Sequence, residues 1–301
     1  RAGTALVLRL GYRPPYDFNA VLGFLQQRAL PGIEQVDAFS YQRVFGRAQS
    51  PGWLRVSAWP AGQHSLQLEL LNVAPAHMLP VVTRIRRMFD LDADPQAIAH
   101  TLGASPQLAP LIERYPGLRL PGGWDGFEVA VRAVLGQQVS VAAARTLASR
   151  LVQRYGTPIE APGTSGLDRL FPDAQQLAAA NLDQMGITQA RINTLHGIAQ
   201  ALIEGRVDFG MEQALDTFVR RWVQLPGIGE WTAHYIAMRV LKHPDAFPAA
   251  DLILRREANP DGPPLSTKAM QTLAESWRPW RAYSVLYLWR AATDAAALKR
   301  I

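Results

Sequence analysis

The chain contains no cysteine in 301 residues, which excludes disulfides, a thiolate nucleophile, cysteine-ligated zinc and iron–sulfur clusters. That fits a reducing cytosol. Lysine is almost as scarce. Of 31 basic residues only Lys242, Lys268 and Lys299 are lysine and the rest are arginine, so few amines are available for Schiff-base chemistry. Long apolar runs are missing too. The opening "RAGTALVLRLGY" is interrupted by Arg9 before it could serve as a signal peptide, and no later run approaches the ~18 apolar residues of a membrane span. The expectation is a soluble, cytoplasmic protein without membrane contact. The chain begins at Arg1 rather than at methionine, as a trimmed chain or the C-terminal part of a longer fusion would.

What is present is an apolar content of 48% and enough length for two or three domains with real cores. A net charge of +6 favours an anionic partner such as nucleic acid. Nothing in the sequence indicates oligomerisation, and a monomer is expected.

Two regimes of periodicity divide the chain. Leu6 to Leu10 is short and strand-like, and "DFNAVLGFLQQRAL" places Phe18, Val21, Leu22 and Leu25 on one helical face. "WLRVSAW" and "SLQLELL" alternate apolar with polar as half-buried strands do, with "PAGQH" as their turn. From about Met78 no further strand is expected. Helices separated by Pro/Gly punctuation follow at "YPGLRLPGGWDG", "YGTPIEAPGTSG", "LPGIGEW" and "NPDGPP", with "EAPGTSG" reading as a flexible loop. Two helices meet near Gly136, and "MEQALDTFVRRWVQ" and "WTAHYIAMRVLK" flank the glycine motif. The fold class is therefore α+β, a small N-terminal antiparallel sheet domain over 1–90 followed by a mostly helical body over 91–301. Within the body, 126–239 is read as one helical subdomain and 91–125 plus 240–301 as a second, with a cleft between them.

The stretch "LPGIGEWTAHY" at Leu225 to Tyr235 carries the first chemical signal. Glycines at Gly227 and Gly229 permit a sharp turn and close approach, and the helix that follows presents unpaired N–H groups near Gly227, Gly229, Trp231 and Thr232. Such a corner can grip a phosphate, although a tight loop between two helices would look the same. Twenty residues after Trp231 stands Asp251, in "DAFPAADLILRR", where the next helix would begin. An N-cap role accounts for an aspartate there. Cap and catalyst do not exclude each other.

With helices on both sides of the hairpin and an aspartate at that distance, the chain resembles the 3-methyladenine DNA glycosylase II (AlkA-type) family of the helix-hairpin-helix glycosylase superfamily. The similar segments run nearly end to end: "RPPYDF" with "LGFLQQRA", "PGLRLPG", "RAVLGQQVSVAAA", "LPGIGEWTAHYIAMR" and "WRPWRAYSVLYLW". The resemblance implies a TATA-binding-protein-like N-terminal sheet and a cleft between two helical subdomains. It implies that Asp251 is the catalytic aspartate and that Trp231, Tyr235, Trp289 and Phe24 line the base pocket. Gln138 falls on the residue that wedges into DNA, where the best-known members carry leucine, with Gln137 as the neighbouring alternative. Trp277 and Trp280 have no catalytic counterpart and are assigned to the core. No cofactor is required, and a structural cation at the hairpin carbonyls near Leu225 and Ile228 is conceivable when DNA is bound.

The implied function is monofunctional excision of alkylated bases, such as 3-methyladenine and 7-methylguanine, from double-stranded DNA in base excision repair. Two rivals remain at this stage. A bifunctional glycosylase/lyase needs an amine, which in such relatives often occupies the second position after the second hairpin glycine; here that position is Trp231. A non-catalytic helix-hairpin-helix module needs only the phosphate grip, and neither Asp251 nor the aromatics.

Overall fold

In the computed structural model, which describes residues 5–60, 63–160 and 166–298, the N-terminal part is a five-stranded antiparallel sheet. The strands are β1 (Leu6–Gly11), β2 (Glu34–Val36), β3 (Ser40–Arg47), β4 (Ser50–Ala58) and β5 (Ser65–Leu71), in spatial order β1-β5-β4-β3-β2. Register follows alternation. Leu54 faces Leu70 and Val56 faces Leu68, so the leucines of "SLQLELL" line one buried face against helix α1 (Phe18–Gln26). Asp17 caps α1 by accepting from the Ala20 N–H at 2.8 Å, and Val21, Leu22 and Leu25 are its buried stripe.

Strands β2 and β3 are absent from the sequence expectation. In β3 the alternation is broken because a charged residue, Arg43, occupies a buried position. Its two terminal nitrogens are paired there with Glu34 of β2, at 3.1 Å, and with Glu128, while its Nε has no partner among the described residues, an arrangement that hydrophobic patterning cannot register. A second, minor ladder pairs Thr157–Pro158 (β6) with Arg169–Leu170 (β7), which corrects the expectation of no strand beyond Met78; two residues are too few to show a period. The "PAGQH" turn and the "EAPGTSG" loop lie partly outside the described residues.

The remainder is helical: α2 (Pro75–Met88), α3 (Pro95–Leu102), α4 (Ala109–Arg114), α5 (Gly126–Leu135), α6 (Val141–Tyr155), α7 (Ala174–Ala179), α8 (Gln189–Ile203), α9 (Leu215–Trp222), α10 (Glu230–Ile236), α11 (Leu252–Glu257), α12 (Thr267–Ala274) and α13 (Arg281–Leu298). Helix α10 runs on into one π-helical turn, Ala237–Leu241. Asp, Ser and Thr caps at Asp125, Ser140, Thr188, Asp251 and Ser266 fix the starts of α5, α6, α8, α11 and α12. Helix α5 is nearly all buried, from Phe127 to Leu135, and packs against α8 and α10, while α13 packs on α4 and α11. Trp277 is fully buried and edge-on to Phe247, in keeping with a core role. Among the described residues no helix is long and apolar enough to cross a membrane.

The sheet is fastened to the helical body by buried charge. Arg43 and Arg132 share the carboxylates of Glu34 and Glu128, and the Tyr41 hydroxyl donates to Glu34 at 2.7 Å. A second joint surrounds Asp90, which receives Lys242 at 2.9 Å, the Tyr283 hydroxyl at 2.9 Å and the Leu120 N–H at 2.9 Å.

Candidate active site

The loop 242–251 and helix α10 bring together two residues that are twenty apart in sequence. Asp251 has an extended backbone, so helix α11 starts beyond it, and its Oδ1 accepts from the Leu254 N–H at 3.0 Å. Its Oδ2 accepts from the Trp231 indole Nε1–H at 2.8 Å. The N-cap reading is therefore correct and incomplete: one carboxylate oxygen holds the helix and the other holds the Trp231 indole. His234 on α10 anchors the same loop, because its Nδ1 accepts from the Phe247 N–H at 3.2 Å. Burial, with help from Arg281, holds the His234 pKa below the usual histidine value and keeps that ring nitrogen an acceptor.

Trp231 and Tyr235, one helical turn apart, stack with ring centroids 5.3 Å apart and planes within 8°. Trp289 of α13 faces Tyr235 at 6.4 Å with a tilt of 45°. A base sandwiched between two rings needs them parallel and about 7 Å apart, twice a van der Waals stacking distance. Tyr235 and Trp289, closer than that and tilted, do not form such a slot as they stand.

Phe24 of α1 joins the group through arginine. The Arg28 Cζ stands 3.7 Å and the Arg239 Cζ 4.5 Å from its ring centroid, and Arg239 Nη1 donates to the Tyr235 hydroxyl at 3.0 Å. Arg239 is only 6% exposed and also donates to the Gly122 carbonyl at 3.1 Å. Burial would raise the Tyr235 phenol pKa, but the guanidiniums of Arg239, Arg28 and Arg132 overcome it and hold it below the ordinary tyrosine value. Burial, reinforced by repulsion from Arg239 and Arg132, lowers the Arg28 pKa to about 10.

These arginines, and His234, were not singled out from sequence. The available signal was spacing, since Phe24 to Arg28 and Tyr235 to Arg239 are both i,i+4 pairs, although α1 ends at Gln26 and Arg28 stands in the turn beyond it. The π turn that begins at Ala237 carries Arg239 and is a type of helix defect that recurs at functional sites.

The hairpin's two glycines differ. Gly227 has φ +83°, and a Cβ there would stand 1.9 Å from Thr194 Oγ1 of α8, so it is required by packing and by backbone alike. Gly229 has an ordinary φ of −91°, no atom within 4 Å of its notional Cβ, and caps α10 without a side chain, leaving first-turn N–H groups open. Thr232 is buried beneath them. Leu225 O already accepts from the Ile228 N–H at 3.0 Å, and a carbonyl retains a second lone pair for a hard cation. Among the described residues no cluster of three or more His, Asp or Glu could hold a metal ion.

Gln138 is exposed in the α5–α6 turn and has φ +55°, which only a small share of non-glycine residues adopt. Gln137 beside it is half-buried, with its amide committed to the Gly227 carbonyl at 3.0 Å and the Thr232 hydroxyl at 3.1 Å.

Two families match this chain: the AlkA N-terminal domain over residues 7–125 and the HhH-GPD superfamily base excision DNA repair proteins over residues 131–282. A protein of Mycobacterium tuberculosis named "Probable bifunctional transcriptional activator/DNA repair enzyme AlkA" is 39% identical over 288 residues, 96% of this chain, which spans 57% of that relative's length. The Escherichia coli protein "DNA-3-methyladenine glycosylase 2" is 34% identical over 284 residues, covering 93% of this chain and 95% of its own. A 3-methyladenine DNA glycosylase from Archaeoglobus fulgidus shares the fold, with a TM-score of 0.79 over 93% of this chain and 96% of that one at 20% identity. The open hairpin, the capped and tethered aspartate and these likenesses together place the chain in the AlkA family of the HhH-GPD superfamily of base excision DNA repair proteins.

Proposed function

We propose that the chain is a monofunctional DNA glycosylase that extrudes alkylated bases, such as 3-methyladenine and 7-methylguanine, from duplex DNA and hydrolyses the N-glycosidic bond without cutting the strand. The observation that carries the reading is the Asp251 carboxylate, fixed at 2.8 Å from the indole Nε1–H of Trp231, whose ring stacks on Tyr235. A target base inside the duplex is out of reach, so it must be flipped out at a cost of a few kcal/mol. Alkylation at N3 or N7 makes a purine cationic, which weakens its bond to the sugar and draws it to the electron-rich faces of Trp231, Tyr235 and Trp289. Such a base leaves without needing a strong acid. The developing oxocarbenium at C1′ requires a negative charge, which Asp251 supplies from a position held by two hydrogen bonds, and Asp251 or a water that it orients completes the substitution.

The hairpin N–H groups beyond Gly229 would take one phosphate, providing grip without sequence choice. Carbonyls of Leu225 and Ile228 would be the ligands if a cation bridges hairpin and phosphate, and the chemistry proposed draws on no other group. The absence of an amine at the lyase position supports the monofunctional reading. Lys242 is lowered to about 8 by burial, opposed by Asp90, but its amine is spent on Asp90 and the Leu120 carbonyl. Lys268 is on α12, and Lys299 lies outside the described residues.

The test is incubation of purified protein with methylated duplex DNA. Free 3-methyladenine should appear, strands should break only after alkali, and borohydride should trap no protein–DNA adduct. Release without alkali-labile sites, or efficient trapping, would overturn the proposal.

A further inference from the structure

Resting on the reading of Gln138 as the side chain that fills the vacated stack, we propose that Gln137 is a positioning residue that makes the wedge and the phosphate grip one rigid unit. Both N–H groups of the Gln137 amide are used, one on the Gly227 carbonyl at 3.0 Å and one on the Thr232 hydroxyl at 3.1 Å. Its backbone carbonyl accepts from Arg191 of α8, and its backbone N–H donates to the Val134 carbonyl of α5 at 3.2 Å. Gly227 in turn is pressed against Thr194 of the same helix α8. One side chain thus joins the end of α5, the hairpin and the first turn of α10, while its backbone is held to α8.

The next residue is left free. Gln138 is exposed, makes no side-chain hydrogen bond among the described residues, and has the left-handed φ of +55°. That conformation is costly for a residue with a Cβ and persists only where the surroundings enforce it. Here the enforcing contacts are those of Gln137. Phosphate bound at the hairpin consequently sets how far Gln138 stands from the DNA backbone. If the bridge were cut, the hairpin would still bind phosphate, but the wedge would no longer be held at a fixed depth.

The variant that isolates this is Gln137→Met, of similar length and unable to donate. We compare its affinity with that of wild type for a duplex carrying an abasic-site analogue, for intact duplex and for single strands, and measure single-turnover base release from methylated duplex and single-stranded DNA. The expected result is about a tenfold loss on the abasic-analogue duplex and in duplex release, from two lost hydrogen bonds, with intact duplex and single strands changed by less than about threefold. Gln137→Met combined with Gln138→Ala should be no worse than Gln138→Ala alone, because both disable one function. Equal losses on all DNA would make Gln137 a scaffold of the hairpin only and overturn the proposal, as would additive losses or wild-type behaviour. Wild-type protein with no preference for the abasic-analogue duplex would instead sink the wedge reading. Should Gln137→Met fail to fold, Thr232→Val removes one of the two acceptors, leaves both glycines, and decides between the same outcomes.

Discussion

Replacing Asp251 by asparagine removes one charge and almost no volume, and the structure fixes what else it changes. In the native protein Oδ1 accepts from the Leu254 N–H at 3.0 Å and Oδ2 from the Trp231 Nε1–H at 2.8 Å. A carboxylate can accept both; an amide can accept only one, and its NH2 would then face the other donor. The cap contact on α11 can be kept at the expense of Trp231, at a stability cost of about 1–3 kcal/mol for an unsatisfied donor. The kinetic effect should be larger. Opposite unit charges about 4 Å apart, at an effective dielectric of about 20, attract by about 4 kcal/mol, which is about three decades in rate. Asp251→Asn should therefore lower single-turnover release from methylated duplex by about a thousandfold, with affinity for abasic-analogue DNA retained and a modest fall in Tm. Trp231→Phe serves as the control for the lost indole contact, since it removes that donor but keeps a ring and the charge; it should lose no more than about tenfold. If Asp251→Asn releases base within tenfold of wild type, or if Trp231→Phe is equally damaged, the carboxylate is a structural cap and the chemistry lies elsewhere.

The two hairpin glycines should respond differently. Gly229→Ala meets no atom in the protein, so Tm should be unchanged while affinity for damaged and undamaged duplex falls by similar factors; retained affinity would remove the phosphate from this corner. Gly227→Ala drives a Cβ to 1.9 Å from Thr194 Oγ1 at φ +83°, so thermal melts should show a large loss of stability before any DNA measurement is made. Trp289→Ala removes one ring of the proposed base pocket, worth roughly 1–3 kcal/mol for a stacked base, and should slow release by one to two decades in protein whose circular dichroism is unchanged. Acid should weaken the fold through His234. Its pKa is depressed by burial, so its contribution is complete above the unfolded value of about 6.5 and is lost as pH falls through the lower folded value. Melts of wild type and His234→Asn between about pH 8 and 5 should converge at the acid end; parallel curves would exclude His234 as a source of the acid sensitivity.

Legibility in the sequence followed period and local chemistry. Strand β5 and helix α1 were readable because their apolar residues share one buried face, β4 because Leu54 and Val56 keep the alternation although Trp53 is buried on the other side, and the hairpin and the cap at Asp251 because glycine and aspartate carry their backbone preferences wherever they stand. Strands β2 and β3 were not, because Arg43 and Glu34 are buried as partners and so look like surface residues in any one-dimensional pattern. The same limit hid the arginines around Tyr235. Arg28 comes from the turn after α1, Arg132 from α5 and Arg239 from the π turn after α10, and only their convergence on one phenol distinguishes them from the other arginines of a basic chain.

That convergence bears on how the pocket treats charge. A purely aromatic slot would favour a cationic base on either face, yet two guanidiniums lie against Phe24, one of them hydrogen-bonded to the Tyr235 hydroxyl. Their repulsion opposes a positive charge placed at the Phe24 side, whereas the Asp251 carboxylate on the Trp231 side attracts it. The polarity of the site therefore runs from Phe24 to Asp251. In the proposed reaction, a cationic base with its glycosidic edge toward Asp251 would hold its charge nearer the carboxylate than the guanidiniums, and the reverse placement would set that charge against them. On that reading, electrostatics would favour one orientation before any hydrogen bond to the base is made. In the proposed reaction Asp251 would serve the fold and the chemistry with the same two oxygens: the cap on α11 and the tether to Trp231 hold the negative charge still, which would let it act on a developing cation without first reorganising.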